Sequence, residues 1–523
     1  MRQSVWMGAL LGVLVVSNVA CVAGPRFTRC PGEGGREWME LDSERYTLHT
    51  DLPADEARKA MGYLERTHVA ILAAAWPAAL RKEMVKVSVI VLADSSEFEG
   101  LFPRRLEAFF LKDDNEPVIV LHGSPDTWQR RFTGLSDISS SALKHELAHH
   151  LSTYVLIRQP RWLAEGLAQF LETLHLSEDG KTAVLGTPHL EATSQMKLLL
   201  DASERGLLRD DWTMSDVLAW DSSSESDTDL VMAGRYSGSW LLVHWLYNTR
   251  SEAFADYQAQ LAQGDDPDSS LRATLPDLYA RSLDSVLLEY LKRGSYQELT
   301  VQVPPVSSSF AERPLEDAEV HATRSKLAAM AAGMAEQQTR AQTREKLAKA
   351  ELTEAIRLEP QGVLALRTKA AIAPEHERAG IARAAVAAHP DESAAWLLLA
   401  TSLPRDAASR NEREEALRKA LALAPRHVSA ANRLAWMLVT EGRFAEALPI
   451  AKRAVSLAPW SPHVLDTYAM ASAGVGACAE AILAERRAID LLQEHRQPEL
   501  EKVLRSRLAA LGRESCQPPE LEP

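Results

Sequence analysis

The chain has 523 residues, 46% of them hydrophobic and 25% charged, which suits two or three folded domains rather than a disordered chain. With 72 acidic residues against 58 basic ones the formal net charge is −14, and no Lys/Arg-rich run interrupts it. That balance argues against a nucleic-acid partner and leaves protein substrates open.

Residues 1–20 read as a signal peptide. Arg2 is a minimal charged start, and Val5 to Val16 is an apolar run too short to span a membrane comfortably. Small residues in Ser17-Asn-Val-Ala20 then precede Cys21, and Ala20-Cys21 resembles a bacterial lipoprotein cleavage site. Cys21 would carry the lipid and anchor the chain to a membrane. Asn18 stands where Leu is usual, and an ordinary secretory signal cut after Ala20 or Ala23 is the alternative. Both predict export, to the periplasm or cell envelope. The other cysteines are Cys30, Cys478 and Cys516, with no C-x-x-C pair among them. Cys478 and Cys516 are candidates for a disulfide, the alternative being a lone buried thiol at Cys478.

A first domain is expected over residues 38–298. Trp38–Leu41 and Arg45–His49 read as short strands, and Pro53–Ala75 as a long helix. Lys86–Leu92 and Pro117–His122 are β-branched strands. Leu143-Lys-His-Glu-Leu-Ala-His-His150 follows, helical by its stripe of Leu143, Leu147 and Leu151. It contains His145-Glu146-x-x-His149, whose histidines lie one turn apart on one helix face and can share one metal ion. Glu146 is rotated by about 100° from His145, beside the ion rather than on it. Sixteen residues beyond His149 comes Glu165, in the helical stretch Pro160-Arg-Trp-Leu-Ala-Glu-Gly-Leu-Ala-Gln-Phe-Leu-Glu172. Leu163, Leu167, Phe170 and Leu171 form the core side. Trp162, Glu165, Ala168, Gln169 and Glu172 share another side, where Glu165 can complete a set of two imidazoles and one carboxylate. Gly166 is costly in a helix unless a neighbour must come close. Gln169, one turn on, can hydrogen-bond a ligand from behind or simply be solvated.

Ala219–Asp229 is acidic and Ser-rich and reads as a surface loop. Helices are expected at 234–246, 251–263 and 280–293, with His244 an ordinary helix-face histidine. Val301-Gln-Val-Pro-Pro-Val-Ser-Ser-Ser309 marks a linker over 299–324. Beyond it Leu423-Ala-Pro425 recurs as Leu457-Ala-Pro459, 34 residues on, and at the same offset Ala435 maps to Ala469 and Gly442 to Gly476. That is the tetratricopeptide (TPR) period, so an array of helical repeats is expected over 325–511, with a concave face for a protein partner. Residues 512–523, rich in Pro and Glu, form a tail expected to be disordered.

His145-Glu-Leu-Ala-His149 followed by Pro160-Arg-Trp-Leu-Ala-Glu165-Gly-Leu-Ala168 resembles the gluzincin (peptidase MA-like) group of bacterial zinc metallopeptidases, over roughly residues 38–298. The resemblance implies an α+β zincin-like domain, a small sheet plus helices, followed by the all-α TPR solenoid. It implies one zinc ion on His145, His149 and Glu165, with Glu146 as general base in the hydrolysis of peptide or protein substrates. Tyr236, in a Tyr-x-x-x-Trp pattern opening a late helix, is nominated to hydrogen-bond the oxyanion; its alternative is a core or interface tyrosine. Residues 117–122 are nominated as an edge strand that pairs with extended substrate, the alternative being an internal strand. No Gly-x-Met-x-Asn stretch precedes the motif, so the free-amine anchor of the aminopeptidase branch is missing and an endopeptidase is expected. A second expectation is an exported TPR scaffold or adaptor in which the zinc fold is structural or vestigial.

Overall fold

The computed structural model describes residues 26–103, 106–113, 116–128, 142–177, 179–207, 213–220, 229–280, 282–306, 309–492, 497–512 and 518–519. The signal segment with Cys21, most of the 219–229 loop, Cys516 and nearly all of the tail lie outside them. Nine strands are described, β1 (Met39–Asp42), β2 (Tyr46–Thr50), β3 (Val87–Leu92), β4 (Ala108–Leu111), β5 (Val118–His122), β6 (His175–Leu176), β7 (Thr182–Leu185), β8 (Leu299–Gln302) and β9 (Ala311–Pro314). Six form one sheet in the order β4-β5-β3-β2-β1-β9, and β6-β7-β8 form a second. The inner strands β2, β3 and β5 run parallel, and β4 lies antiparallel to β5 at one edge.

Alternation along the strands builds three layers. Val87, Val89 and Val91 of β3, with Ile119 and Leu121 of β5, face one core. Against them pack α1 (Ala54–Ala75) and α4 (Ala142–Val155). Ile90, Leu92, Val118 and Val120 face the other side, under Phe98 and Leu101 of α2 (Ser95–Leu101) and Val320 and Leu327 of α12 (Asp317–Gly333). The short α3 (Pro125–Trp128) precedes α4. After it come α5 (Arg161–Glu172), α6 (Leu190–Glu204), α7 (Met214–Leu218) and α8 (Asp229–Thr249), then α9 (Ser251–Gln263), α10 (Pro267–Thr274) and α11 (Leu283–Arg293). No helix among the described residues is long and apolar enough to cross a membrane.

The expected linker at 299–324 is not a linker. β8 pairs with β7, β9 pairs with β1, and α12 roofs the sheet. Pro304, Pro305 and Ser309 mark only the stretch between β8 and β9, which the composition overstated. For the same reason 325 does not open a separate array, because α12 and its partner α13 (Gln338–Leu358) belong to both halves. Residues 117–122 also differ from expectation as a substrate strand. β5 is paired on both sides, by β3 and β4, so its backbone is already satisfied.

Packed helix pairs follow: α14 (Val363–Ile372) with α15 (Glu375–Ala388), α16 (Ser393–Ser402) with α17 (Arg410–Leu423), α18 (Val428–Thr440) with α19 (Phe444–Leu457), and α20 (Pro462–Gly474) with α21 (Cys478–Leu492). The last helix is α22 (Pro498–Leu511). Gly442 and Gly476, one repeat apart, take φ of +74° and +83° in the turns between paired helices. Ala447, Ala451, Ala454 and Ala481 are buried where the pairs touch. Cys478 is disulfide-bonded, so it is not a lone thiol. The array packs directly on the first domain. Trp460 sits edge-on to Tyr154 of α4 at 4.8 Å, and Arg426 and Arg453 both reach Glu83, at 3.2 and 2.9 Å. Val428, Leu457 and Val464 enter the same core as the sheet.

A chain ended at residue 298 should therefore lack a cooperative thermal transition, because β1 loses one of its two partners and the outer sheet face loses its α12 roof. Circular dichroism melts of that chain and of the whole protein make the comparison; a cooperative melt of the shorter one would refute the integrated sheet.

Candidate metal centre

α4 sends Leu143, Leu147 and Leu151 into the core and keeps His145, Glu146 and His149 on its half-exposed side. α5 crosses beside it and brings Glu165 to the same point. The Nε2 atoms of His145 and His149 are 3.1 Å apart, and Glu165 Oε2 lies 3.5 Å from each. Ligand bonds of about 2.0–2.1 Å in tetrahedral zinc sites separate their donor atoms by about 3.3 Å. Among the described residues this is the one group of histidine, cysteine and carboxylate side chains gathered closely enough to hold a metal. The three side chains keep 16–20% exposure, so the cluster opens to solvent.

The approach of α5 depends on Gly166. A Cβ there would lie 2.4 Å from the Ser239 carbonyl oxygen and 2.7 Å from Val243 of α8. The expected close neighbour is thus the backbone of α8. Lys144, buried behind the motif, ties the two helices together by donating to the Leu174 carbonyl at 2.8 Å, and burial lowers its ammonium to about 8.

Glu172, about two turns beyond Glu165, takes the role for which Gln169 was a candidate. Its Oε2 accepts from His145 Nδ1 at 3.0 Å, which leaves a lone pair on His145 Nε2, the atom facing the cluster. Its Oε1 accepts from His189 Nε2 at 2.8 Å. His189 Nδ1 in turn accepts the Ala192 N–H at 3.1 Å and caps α6, which fixes the proton of His189 on Nε2. Sequence reading placed Glu172 on the right side of its helix but missed its role. The signal was its seven-residue spacing from Glu165. His189 is distant in sequence and had no such signal.

The donor set can be tested for its fit to a cation. Two imidazole nitrogens that close are held either by a proton on one of them or by a cation that both face. Burial lowers the His145 imidazole, yet Glu165 and Glu172 raise it well above its ordinary value. Burial raises the Glu165 carboxyl, but His149 and His145 hold it far below the usual carboxylate range. The Glu172 carboxyl, raised by burial, is brought down to about 2 by His145 and His189. The cluster draws positive charge, of the kind a divalent ion would supply, so its donor set fits such an ion.

Glu146 lies beside the cluster. Burial raises its carboxyl, while His145, His149 and the Phe110 backbone N–H of β4 oppose that rise. The Phe110 contact turns the open edge of β4 toward the metal helix, so β4, not β5, is the free strand at the site. The sequence showed only Ala108-Phe-Phe-Leu111, too short to announce a strand. Tyr236 of α8 packs edge-on to Trp220 at 5.0 Å. Its hydroxyl is raised by burial and by Glu165, with Arg161 opposing, which places it on the rim of the cluster. His150, next to a ligand in sequence, turns into the core between Phe110 and Tyr154. His244 is also a core residue, bonded to the Gly186 carbonyl at 3.1 Å and to the Tyr290 hydroxyl at 2.7 Å.

A family model described as a protein of unknown function, DUF1570, matches residues 139–266. That span contains all the residues of the cluster, Glu146, Glu172 and Tyr236. No curated protein matches the chain. Among solved structures, a crystal structure of MamA protein is similar at 14% identity, covering 35% of this chain and 96% of that one, with a TM-score of 0.24. TTC0263, a thermophilic TPR protein of Thermus thermophilus, is similar at 18% identity, covering 36% and 97%, with a TM-score of 0.26.

Glu172→Gln should weaken zinc binding by about 10- to 100-fold, measured by competition with a chromophoric chelator. Unchanged affinity would remove Glu172 from the site. Gly166→Ala should cost about 1–3 kcal/mol in urea unfolding, because α5 must move off α8.

Proposed function

We propose that the chain is a zinc-dependent peptidase whose helical array recruits its substrate or a partner protein. The observation that carries the hydrolytic half is the meeting of His145 Nε2, His149 Nε2 and Glu165 Oε2 within 3.1–3.5 Å, open to solvent and with Glu146 alongside. One anionic and two neutral ligands fit a catalytic rather than a structural zinc site. When bound there, zinc supplies Lewis acidity, which lowers the pKa of a water and polarises a carbonyl.

The protein's own groups do the rest. Glu146 is placed to take a proton from a water and pass it to the leaving amine, and its raised carboxyl suits a group that both accepts and donates. Glu172 holds the His145 ring in its orientation and tautomer. The Tyr236 hydroxyl, kept protonated, is a donor for an oxyanion. The open edge of β4 offers backbone groups to an extended chain, as an endopeptidase requires. The apolar and small-residue pattern of residues 1–21 supports an exported protein, periplasmic or in the cell envelope, with Cys21 as a lipid anchor.

A second reading has its own observation. The array encloses a groove of about 670 Å³ lined by Arg413, Asn432, Arg433, Trp436 and Asp466. Helical repeats of this kind bind proteins and carry no chemistry. In this reading the chain is an exported scaffold or adaptor, and the metal cluster is structural or vestigial. Protein interaction follows from the array in both readings; hydrolysis rests on the metal cluster alone.

Glu146→Gln separates the two. Activity against a mixed peptide library should fall at least about 10²-fold with zinc content and melting temperature retained. A wild-type protein that binds zinc and cleaves nothing would favour the scaffold.

A further inference from the structure

Arg161 opens α5 four residues before Glu165, so the two share a helix face about 6 Å apart along the axis. Its guanidinium lies over the Trp220 ring at 4.5 Å from the centroid, and Trp220 in turn meets Tyr236. Arg161 therefore sits on the rim of the metal cluster, held over an indole. It reaches the Tyr236 hydroxyl, but among the described residues no carboxylate pairs with it. Its neighbour Arg158 contrasts sharply, reaching both Asp266 at 3.5 Å and Asp490 at 3.6 Å. Arg161 is half-buried, and a half-buried guanidinium without an anion is costly to keep. Trp220 Nε1, buried beside it, finds no acceptor among the described residues. A guanidinium carries more N–H donors than one tyrosine oxygen can answer, so donors are left over at the edge of the cluster.

We propose that Arg161, seated on Trp220, is the receptor for a substrate carboxylate, so that the site selects peptides presenting one next to the cleaved bond. This deepens the peptidase reading and rests on it. A planar guanidinium held over an aromatic ring is pre-organised for two parallel hydrogen bonds to a carboxylate, which an ammonium or amide does not reproduce. The carboxylate has two sources, a free C-terminus or an acidic side chain within a longer chain. In the first case the protein trims chain ends. In the second it is an endopeptidase with an acidic preference.

The test uses the whole zinc-loaded protein and four peptides of one sequence: free acid or C-terminal amide, each with Glu or Gln beside the scissile bond. The wild type should prefer one carboxylate source by about 10- to 100-fold in kcat/KM, carried mainly by KM. Arg161→Gln should bring that ratio close to one, and Arg161→Lys should recover part of it. Zinc content and melting temperature serve as folding controls. A wild type without preference, or an Arg161→Gln protein that keeps it, overturns the proposal. A second readout does not depend on turnover. Calorimetry of an N-acetyl dipeptide acid against its amide, on Glu146→Gln with and without Arg161→Gln, should show tighter acid binding lost with Arg161. If nothing is cleaved yet acid binding depends on Arg161, the hydrolytic reading fails and the carboxylate receptor stands. If peptides are cleaved without regard to charge, the receptor fails and the peptidase stands.

Discussion

Two imidazole nitrogens held 3.1 Å apart under a shared carboxylate impose the governing constraint on this molecule. With both lone pairs facing each other they repel; a proton between them, or a cation, relieves them. Much of the surrounding structure keeps them there. Gly166 lets α5 slide close enough to α8 to deliver Glu165, and Lys144 fastens the end of that helix to α4. Glu172 orients His145, and His189 orients Glu172 while capping α6. The last chain of contacts ties a helix terminus far along the chain to the protonation of a ligand.

The parts of this arrangement legible in the sequence were those with a fixed local period. Five residues on one helix determine where His145, Glu146 and His149 point relative to each other, whatever the fold. Glu165 was legible because its helix pattern left it off the apolar stripe, beside a glycine with no local reason to be there. β3 was plain from its β-branched run, and the array from a 34-residue recurrence. What escaped was set by partners distant in the chain. β4 has four residues and acquires its meaning from β5 and Glu146. Residues 117–122 have the composition of a strand, but nothing local says which strand stands at the edge. Glu172 looks like any acidic residue near a helix end until His145 and His189 are placed on either side of it.

The loop between β8 and β9 is the clearest case of composition misleading. Pro304, Pro305 and the serines after Val306 do punctuate the chain, yet punctuation marks a turn as readily as a boundary. The segments flanking them return to both sheets, and α12 then lies across the outer face. Trp460, from deep in the array, reaches Tyr154 at the end of the metal helix. The repeats are therefore not hung from the sheet-bearing half by a tether. They form one wall of it, and a partner seated in the array's groove would bear on the same packed core that positions α4.

The pairing of β1 with β9 joins Met39 to Pro314. A chain made and delivered from its N-terminus reaches residue 314 only after both histidines and Glu165 have long emerged. Until then β1 has an unsatisfied edge and the sheet an uncovered apolar face, the kind of surface that recruits strangers. Such a polypeptide has to be shielded or kept extended until its second half arrives.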